Sequence, residues 1–210
     1  DGYVAVYDAE HETYTVRQAN YVAKIGEVKY ETLQAAINAA QNGDEIDVID
    51  DITLGIDDAD QLCDNQYKSF FNVNGKTITI DLNGYTIKAV LGAELAENAV
   101  YALVTTEKAG NLTIKDSSDE KTGTMWIDNV IEVYSLVFQY DNSIVTIESG
   151  NYKLNVGGNG RGMVYSNDDE KVTVNGGNFY LGNVGTLSNG SPWIFNASGQ
   201  NTKNIIVNGG

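Results

Sequence analysis

The chain of 210 residues sets 29 acidic against 13 basic side chains, a formal charge of −16, and holds one Cys, one His and one Pro. That balance repels phosphate backbones and anionic lipid surfaces, and no run of ~18 apolar residues exists to span a bilayer, so nucleic-acid binding and membrane insertion are not expected. The single Cys and His exclude a disulfide framework, a CxxC zinc site and a His-rich metal centre, and only Arg17 and Arg161 could clamp an anion bidentately.

In chain order, YVAVYDAEHETYTV (3–16) alternates apolar and polar residues around a polar DAEHET turn, which predicts a β-hairpin. ANYVAKIGEVKY follows as a second short strand pair around Gly26. Residues 1–29 are thus read as an N-terminal β unit and 30–210 as the main domain. YETLQAAINAAQNGD (30–44) carries the one convincing helical pattern. Leu33, Ala36, Ile37 and Ala40 fall on one face, Thr32 is placed to cap the start, and Gly43 marks a stop.

After the helix the chain repeats itself. KTITIDLNGYTIKA (76–89), NLTIKDSSDEKTGTMWI (111–127), SIVTIESGNYKLNV (143–156), EKVTVNGGNFYLGN (170–183) and KNIIVNGG share one layout of strand, Gly/Asn turn and strand. Ile80, Ile114, Ile147, Val174 and Val207 align at steps of 34, 33, 27 and 33 residues, with Ile78, Leu112, Val145, Val172 and Ile205 two positions earlier. Val48 is placed upstream of Ile80 in the same column. In the second strands Tyr85, Met125, Tyr152 and Phe179 form one column, and Ile87, Ile127, Leu154 and Leu181 another. A third strand precedes each unit: FFNVN, YALVTT, YSLVFQY, GMVYSN and PWIFNA. Three strands per period with like residues in register predict an all-β fold, a right-handed parallel β-helix solenoid whose rungs stack at ~4.8 Å, with Gly and Asn at its corners. NGG at the end lies in mid-repeat and Asp1 follows no leader, so the chain is expected to be part of a larger multidomain protein.

The segment YETLQAAINAAQNGDEIDVIDDITL (30–54), with the TITIDLNGYTI rung and the TI-SG-N-Y/F rungs after it, resembles the pectin-lyase-like superfamily, and within it repeat-bearing surface proteins of Gram-positive gut bacteria. The resemblance covers roughly residues 21–210. It implies that the helix caps the open N-terminal end of the coil, and that the protein is secreted or attached to the cell wall. It does not imply catalysis.

Lyases of this fold place calcium-binding aspartates beside a basic catalytic residue, and its glycosidases use Asp triads; neither pattern maps onto this chain residue by residue. The candidates for chemistry are Arg161, flanked by glycines, and Asp168 in the Asp168-Asp169 pair. The alternative for both is a solvated corner. His11 sits in the hairpin turn. Residues 41–64 hold nine acids and no base, making Asp57, Asp58, Asp60 and Asp64 candidates for calcium, though without EF-hand spacing. Cys63 lies in this acidic segment, where neighbouring carboxylates raise a thiol's pKa, so it is read as structural.

The third strands are apolar on both faces, with Leu103, Leu136, Met163 and Phe195 on one and Val104, Val137, Val164 and Ile194 on the other. Their outer face is expected to be covered by loops, by the hairpin or by a neighbouring domain or subunit. Tyr101, Tyr134 and Trp193 are candidates for an aromatic ladder suited to sugar rings, or for corner packing. The expected function is a non-catalytic interaction or adhesion module whose partner is a glycan or another host or cell-surface polymer. The alternatives are a polysaccharide lyase or glycoside hydrolase, and a structural stalk.

Overall fold

The computed structural model describes residues 2–63, 67–91, 100–129, 135–156, 162–167, 171–183, 193–198 and 205–209. Alternation of apolar and polar residues makes β1 (Tyr3–Asp8) and β2 (Thr13–Gln18) an antiparallel hairpin, and Gly26, at φ +56°, lets β3 (Ala23–Ile25) turn back on β4 (Val28–Tyr30). Helix α1 (Leu33–Ala39) starts where Thr32 Oγ1 accepts the Ala35 N–H at 3.0 Å. It is shorter than the predicted 30–44. It turns Leu33, Ala36 and Ile37 into the core, and the Lys76 ammonium donates to the carbonyls of Ile37 (3.0 Å) and Asn38 (2.6 Å) near its C-terminal end.

Strands β5 (Glu45–Val48), β6 (Ile52–Leu54) and β7 (Gln61–Cys63) lead into a regular succession. β8 (Tyr67–Asn74), β9 (Thr77–Asp81) and β10 (Thr86–Leu91) are followed by β11 (Val100–Glu107), β12 (Asn111–Lys115) and β13 (Thr124–Asn129). Then come β14 (Ser135–Gln139), β15 (Ile144–Ile147), β16 (Asn151–Val156), β17 (Gly162–Ser166), β18 (Val172–Val174), β19 (Asn178–Asn183), β20 (Phe195–Ala197) and β21 (Ile205–Val207). From β8 onward consecutive strands enter three different sheets in strict rotation. The sheets are β7-β8-β11-β14-β17-β20, β4-β3-β5-β9-β12-β15-β18-β21 and β6-β10-β13-β16-β19. Their pairings are parallel from β5 and β8 onward, while β3 and β4 at one edge and β7 at another run antiparallel. The fold is therefore all-β with one helix among the described residues, and its parallel sheets share one apolar core.

The register carries the columns read from the sequence. Ile80, Ile114, Ile147, Val174 and Val207 are neighbours strand by strand, as are Ile78, Leu112, Val145, Val172 and Ile205. Three placements shift. Ile46, not Val48, stands beside Ile80, while Val48 pairs antiparallel with Ala23 on the opposite edge of β5. Ile87 and Ala89, not Tyr85 and Ile87, stand beside Met125 and Ile127, because the Asn83-Gly84 corner, at φ +47° and +85°, takes up Tyr85 before the strand begins. Phe195 pairs with Val164, one residue from its expected place beside Met163.

One corner uses residues that the Gly/Asn rule does not select: Lys108 and Ala109 are both left-handed, at φ +54° and +56°, in the place Asp141 and Asn142 occupy between β14 and β15. Hydrogen bonds from Ala109 N–H to the Asp141 carbonyl and from Gly110 N–H to the Glu107 carbonyl, each 3.0 Å, hold this corner. Every residue of β14 and β17 is buried, so both faces of the sheet are covered at these two strands within a single chain, while β20 at its edge is partly exposed. The hairpin is not the cover, since its own strands are almost wholly exposed.

A side chain is excluded where the loop after β12 re-enters the wall. A Cβ on Gly123 would lie 2.6 Å from both Leu82 Cβ and Asp116 Cγ, whereas one on Gly55 would meet nothing closer than 3.8 Å. Gly123→Ala is expected to cost about 1–3 kcal/mol of stability by overpacking, and Gly55→Ala well under ~1 kcal/mol, read as shifts in the urea midpoint at unchanged slope.

Candidate binding face

The five-stranded sheet turns Ile87, Met125, Ile127, Tyr152 and Leu154 inward, each at most 1 % exposed. Because side chains alternate, the residues between them point away from the core. They form a second set of columns. Thr53, Lys88, Trp126, Lys153 and Tyr180 are register neighbours on successive strands, and the next column is Val90, Asp128, Asn155 and Gly182.

Cations and aromatic rings thus alternate along one line. Lys88 Nζ lies 3.7 Å from the centre of the Trp126 ring and pairs with Asp128 at 2.8 Å. Asn155 Nδ2 donates to the other oxygen of Asp128 at 3.0 Å. The hydrogen bonds from Lys88 and then Asn155 hold the Asp128 carboxyl below the usual carboxylate range. Lys153 Nζ sits between two rings, 5.6 Å from Trp126 and 5.9 Å from Tyr180, within cation–π reach, and no carboxylate pairs with it among the described residues. A groove of about 410 Å³ opens here, lined by Trp126, Lys153, Asn155, Tyr180 and Gly182 among others. Gly182 keeps it open, since a side chain there would collide with the Asn155 amide. Tyr180 is 52 % exposed, and the Trp126 indole N–H has no acceptor among the described residues. No family model, curated protein or solved structure matches the chain. The reading of this face therefore rests on its own geometry.

Of the residues singled out from the sequence, those described lie away from this face. Arg161, Asp168, Tyr134 and Asp64 fall outside the described residues. Tyr101 is in β11, its backbone beside Lys68, and Trp193 is 61 % exposed at the approach to β20. His11 is exposed in the hairpin turn, its Nδ1 2.8 Å from Asp8. Cys63 is fully buried in β7. Asp57 and Asp58 lie in a single 3₁₀ turn, where Asp58 accepts the Gly55 N–H at 2.7 Å, while Asp60 accepts from Gln61 Nε2. These three carboxylates do not converge on a common point. Nothing in the repeat pattern as read from the inward columns pointed to Trp126, Lys153 or Tyr180; the outward columns one residue away carried that signal.

The carboxylates that do converge among the described residues are Glu45, Asp47 and Asp81, within 4.8 Å of one another. Two ammonium groups already meet their charge. Lys115 Nζ is 2.8 Å from Glu45 and 3.4 Å from Asp81, and Lys24 Nζ is 3.2 Å from Asp47. The bond to Glu45 raises the pKa of Lys115 against the cost of its own desolvation. Burial opposes ionisation of Asp81, but hydrogen bonds from Ser117 and Asn83 and the nearby Lys115 charge outweigh it and hold the carboxyl below its ordinary value. This is an ion-pair network bracing four strands, β3, β5, β9 and β12.

A depressed carboxylate stabilises the fold fully above its unfolded pKa, near 3.8, and loses that contribution as pH falls through the lower folded value. Asp81→Asn is accordingly expected to lower stability at neutral pH by about 1.5–3 kcal/mol and to flatten the acid limb below about pH 4, where the variant and the parent converge, measured as urea midpoints against pH.

Proposed function

We propose that the chain is a right-handed parallel β-helix of the pectin-lyase-like kind, three strands per turn, displayed outside the cell as part of a larger protein. In this reading it is a non-catalytic interaction module that holds a glycan or similar surface polymer against the outward face of its five-stranded sheet. Strict rotation of the strands among three parallel sheets supports the coil, and parallel crossovers are almost always right-handed. The observation that carries the function is the line Lys88, Trp126, Lys153, Tyr180 beside an open groove.

Aromatic faces offer apolar platforms to the C–H faces of sugar rings, while the Lys153 ammonium and the Asn155 amide supply directional donors. Successive strands lie ~4.8 Å apart, so a polymer running along the column meets a new side chain at each strand. Binding through such a face needs no movement of the core, because the groove is built on a hydrogen-bonded sheet. The acids beside it are engaged, Asp128 by Lys88 and Asn155, which favours holding a ligand over acid–base cleavage.

Titration calorimetry and affinity electrophoresis against a panel of neutral and acidic polysaccharides test this reading. Trp126→Ala and Tyr180→Ala should each weaken binding at least ~10-fold, equivalent to about 1.4 kcal/mol, while Asp57→Ala on the remote 3₁₀ turn leaves it unchanged. Binding that survives both aromatic substitutions, or that is lost with Trp193→Ala instead, would remove this face from the reading. Product release from any polymer in the panel would favour the lyase or hydrolase alternative, and no binding anywhere would favour the stalk.

A further inference from the structure

The hairpin β1–β2 forms a two-stranded sheet of its own, and such an isolated hairpin is marginally stable in water. Its register is fixed by the pairs Tyr3 with Gln18, Ala5 with Val16 and Tyr7 with Tyr14. Ala19 N–H donates to the Gly2 carbonyl at 2.8 Å, so the even positions of β1 spend their backbone groups on β2. Tyr3, Ala5 and Tyr7 therefore turn their N–H and C=O groups outward, along an edge that carries no partner strand among the described residues.

That edge reads YVAVY, with no charge, no proline and no bulge, the devices by which natural edges discourage pairing. In a chain of net charge −16 an exposed strand edge uncharged from Tyr3 to Tyr7 is conspicuous. One face of the hairpin is also apolar: Tyr3, Tyr7, Tyr14 and Val16 are 68, 53, 71 and 71 % exposed, and the rings of Tyr7 and Tyr14 lie 5.0 Å apart.

We propose that β1 pairs with β1 of a second copy of this chain, antiparallel and centred on Ala5. This register makes the three outward-facing positions hydrogen-bonded pairs, Ala5 with the partner's Ala5, and Tyr3 with the partner's Tyr7 in both directions. It sets tyrosine against tyrosine on the face that already carries Tyr14 and Val16, completing a four-stranded sheet. It also sends the two acidic turns, each holding Asp8, Glu10 and Glu12, to opposite ends of the new sheet, whereas parallel pairing would bring them together. The symmetric, isologous contact closes on itself as a dimer. A five-residue edge falls below the ~1,200 Å² of a standard interface, so the dimer is reversible and depends on concentration.

Sedimentation velocity on the full chain, from about 10 μM to about 1 mM, at low and high salt, reads the equilibrium. The parent should shift from monomer to dimer across this range, and further toward dimer in high salt, as repulsion between the two acidic copies is screened. Ala5→Pro removes an outward donor while sparing the even-numbered ladder, and Tyr3→Lys with Tyr7→Lys restores charge to the edge; both should stay monomeric. Backbone amide shifts of Thr13–Gln18 confirm that the hairpin still forms in each variant. A parent that stays monomeric throughout, including one whose edge accepts only an added foreign strand, overturns the proposal. So does a dimer that survives Ala5→Pro with the hairpin intact.

Discussion

The hydrogen bonding of parallel strands to neighbours about thirty residues away in sequence governs everything else in this molecule. Each interior strand must donate and accept on both edges, so every circuit of the chain is held by the one before and the one after. The first full set, β8 to β10, meets only short predecessors in β7, β5 and β6, and side chains extend the pairing beyond them. Gln34, on the helix, accepts the N–H of Asn72 at 2.8 Å and donates to its carbonyl at 3.2 Å, standing in for a neighbouring strand. Asn42 accepts the Thr77 N–H at 2.9 Å and Asp51 that of Thr86 at 2.7 Å, one such substitute for each of the other two sheets. The helix is therefore more than an apolar plug, because its polar face completes the backbone pairing of β8.

Stacking also divides the side chains by purpose. Inward positions repeat because each must fill the same space as its neighbours above and below; Tyr152, fully buried and stacked 4.9 Å from Phe179, fits only because its hydroxyl reaches the Ser149 carbonyl at 2.8 Å. Outward positions escape that requirement. The alternation of lysine and aromatic residues on the five-stranded sheet is thus not a demand of the core, and the absence of any pairing carboxylate for Lys153 among the described residues leaves a charge available at the mouth of a groove.

Much of this was legible before any coordinates. The inward columns at Ile80 and Ile78 could be read because parallel register copies a residue type to the same place on each strand. The slips at Val48 and Tyr85 lie where the number of residues between neighbouring strands differs from the run of the repeat, which a column of similar residues does not reveal. The corner at Lys108 and Ala109 was invisible to a rule that looks for glycine and asparagine, because tertiary hydrogen bonds hold it there. The Glu45–Lys115 pair joins residues 70 positions apart, two strands removed within one sheet, and no local pattern marks it. The aromatic candidates legible in the sequence belong to the third strands and their approaches, Tyr101 in β11 and Trp193 ahead of β20, while Trp126 and Tyr180 alternate with the inward columns of the five-stranded sheet.

The division between inward and outward columns bears on how such a surface can change over generations. Lys88, Trp126, Lys153 and Tyr180 each come from a different circuit of the chain, and none of them is needed to fill the interior. A single codon change at any one of them rewrites one tooth of the comb without disturbing the others, so recognition can diverge in small independent steps while the scaffold stays constant.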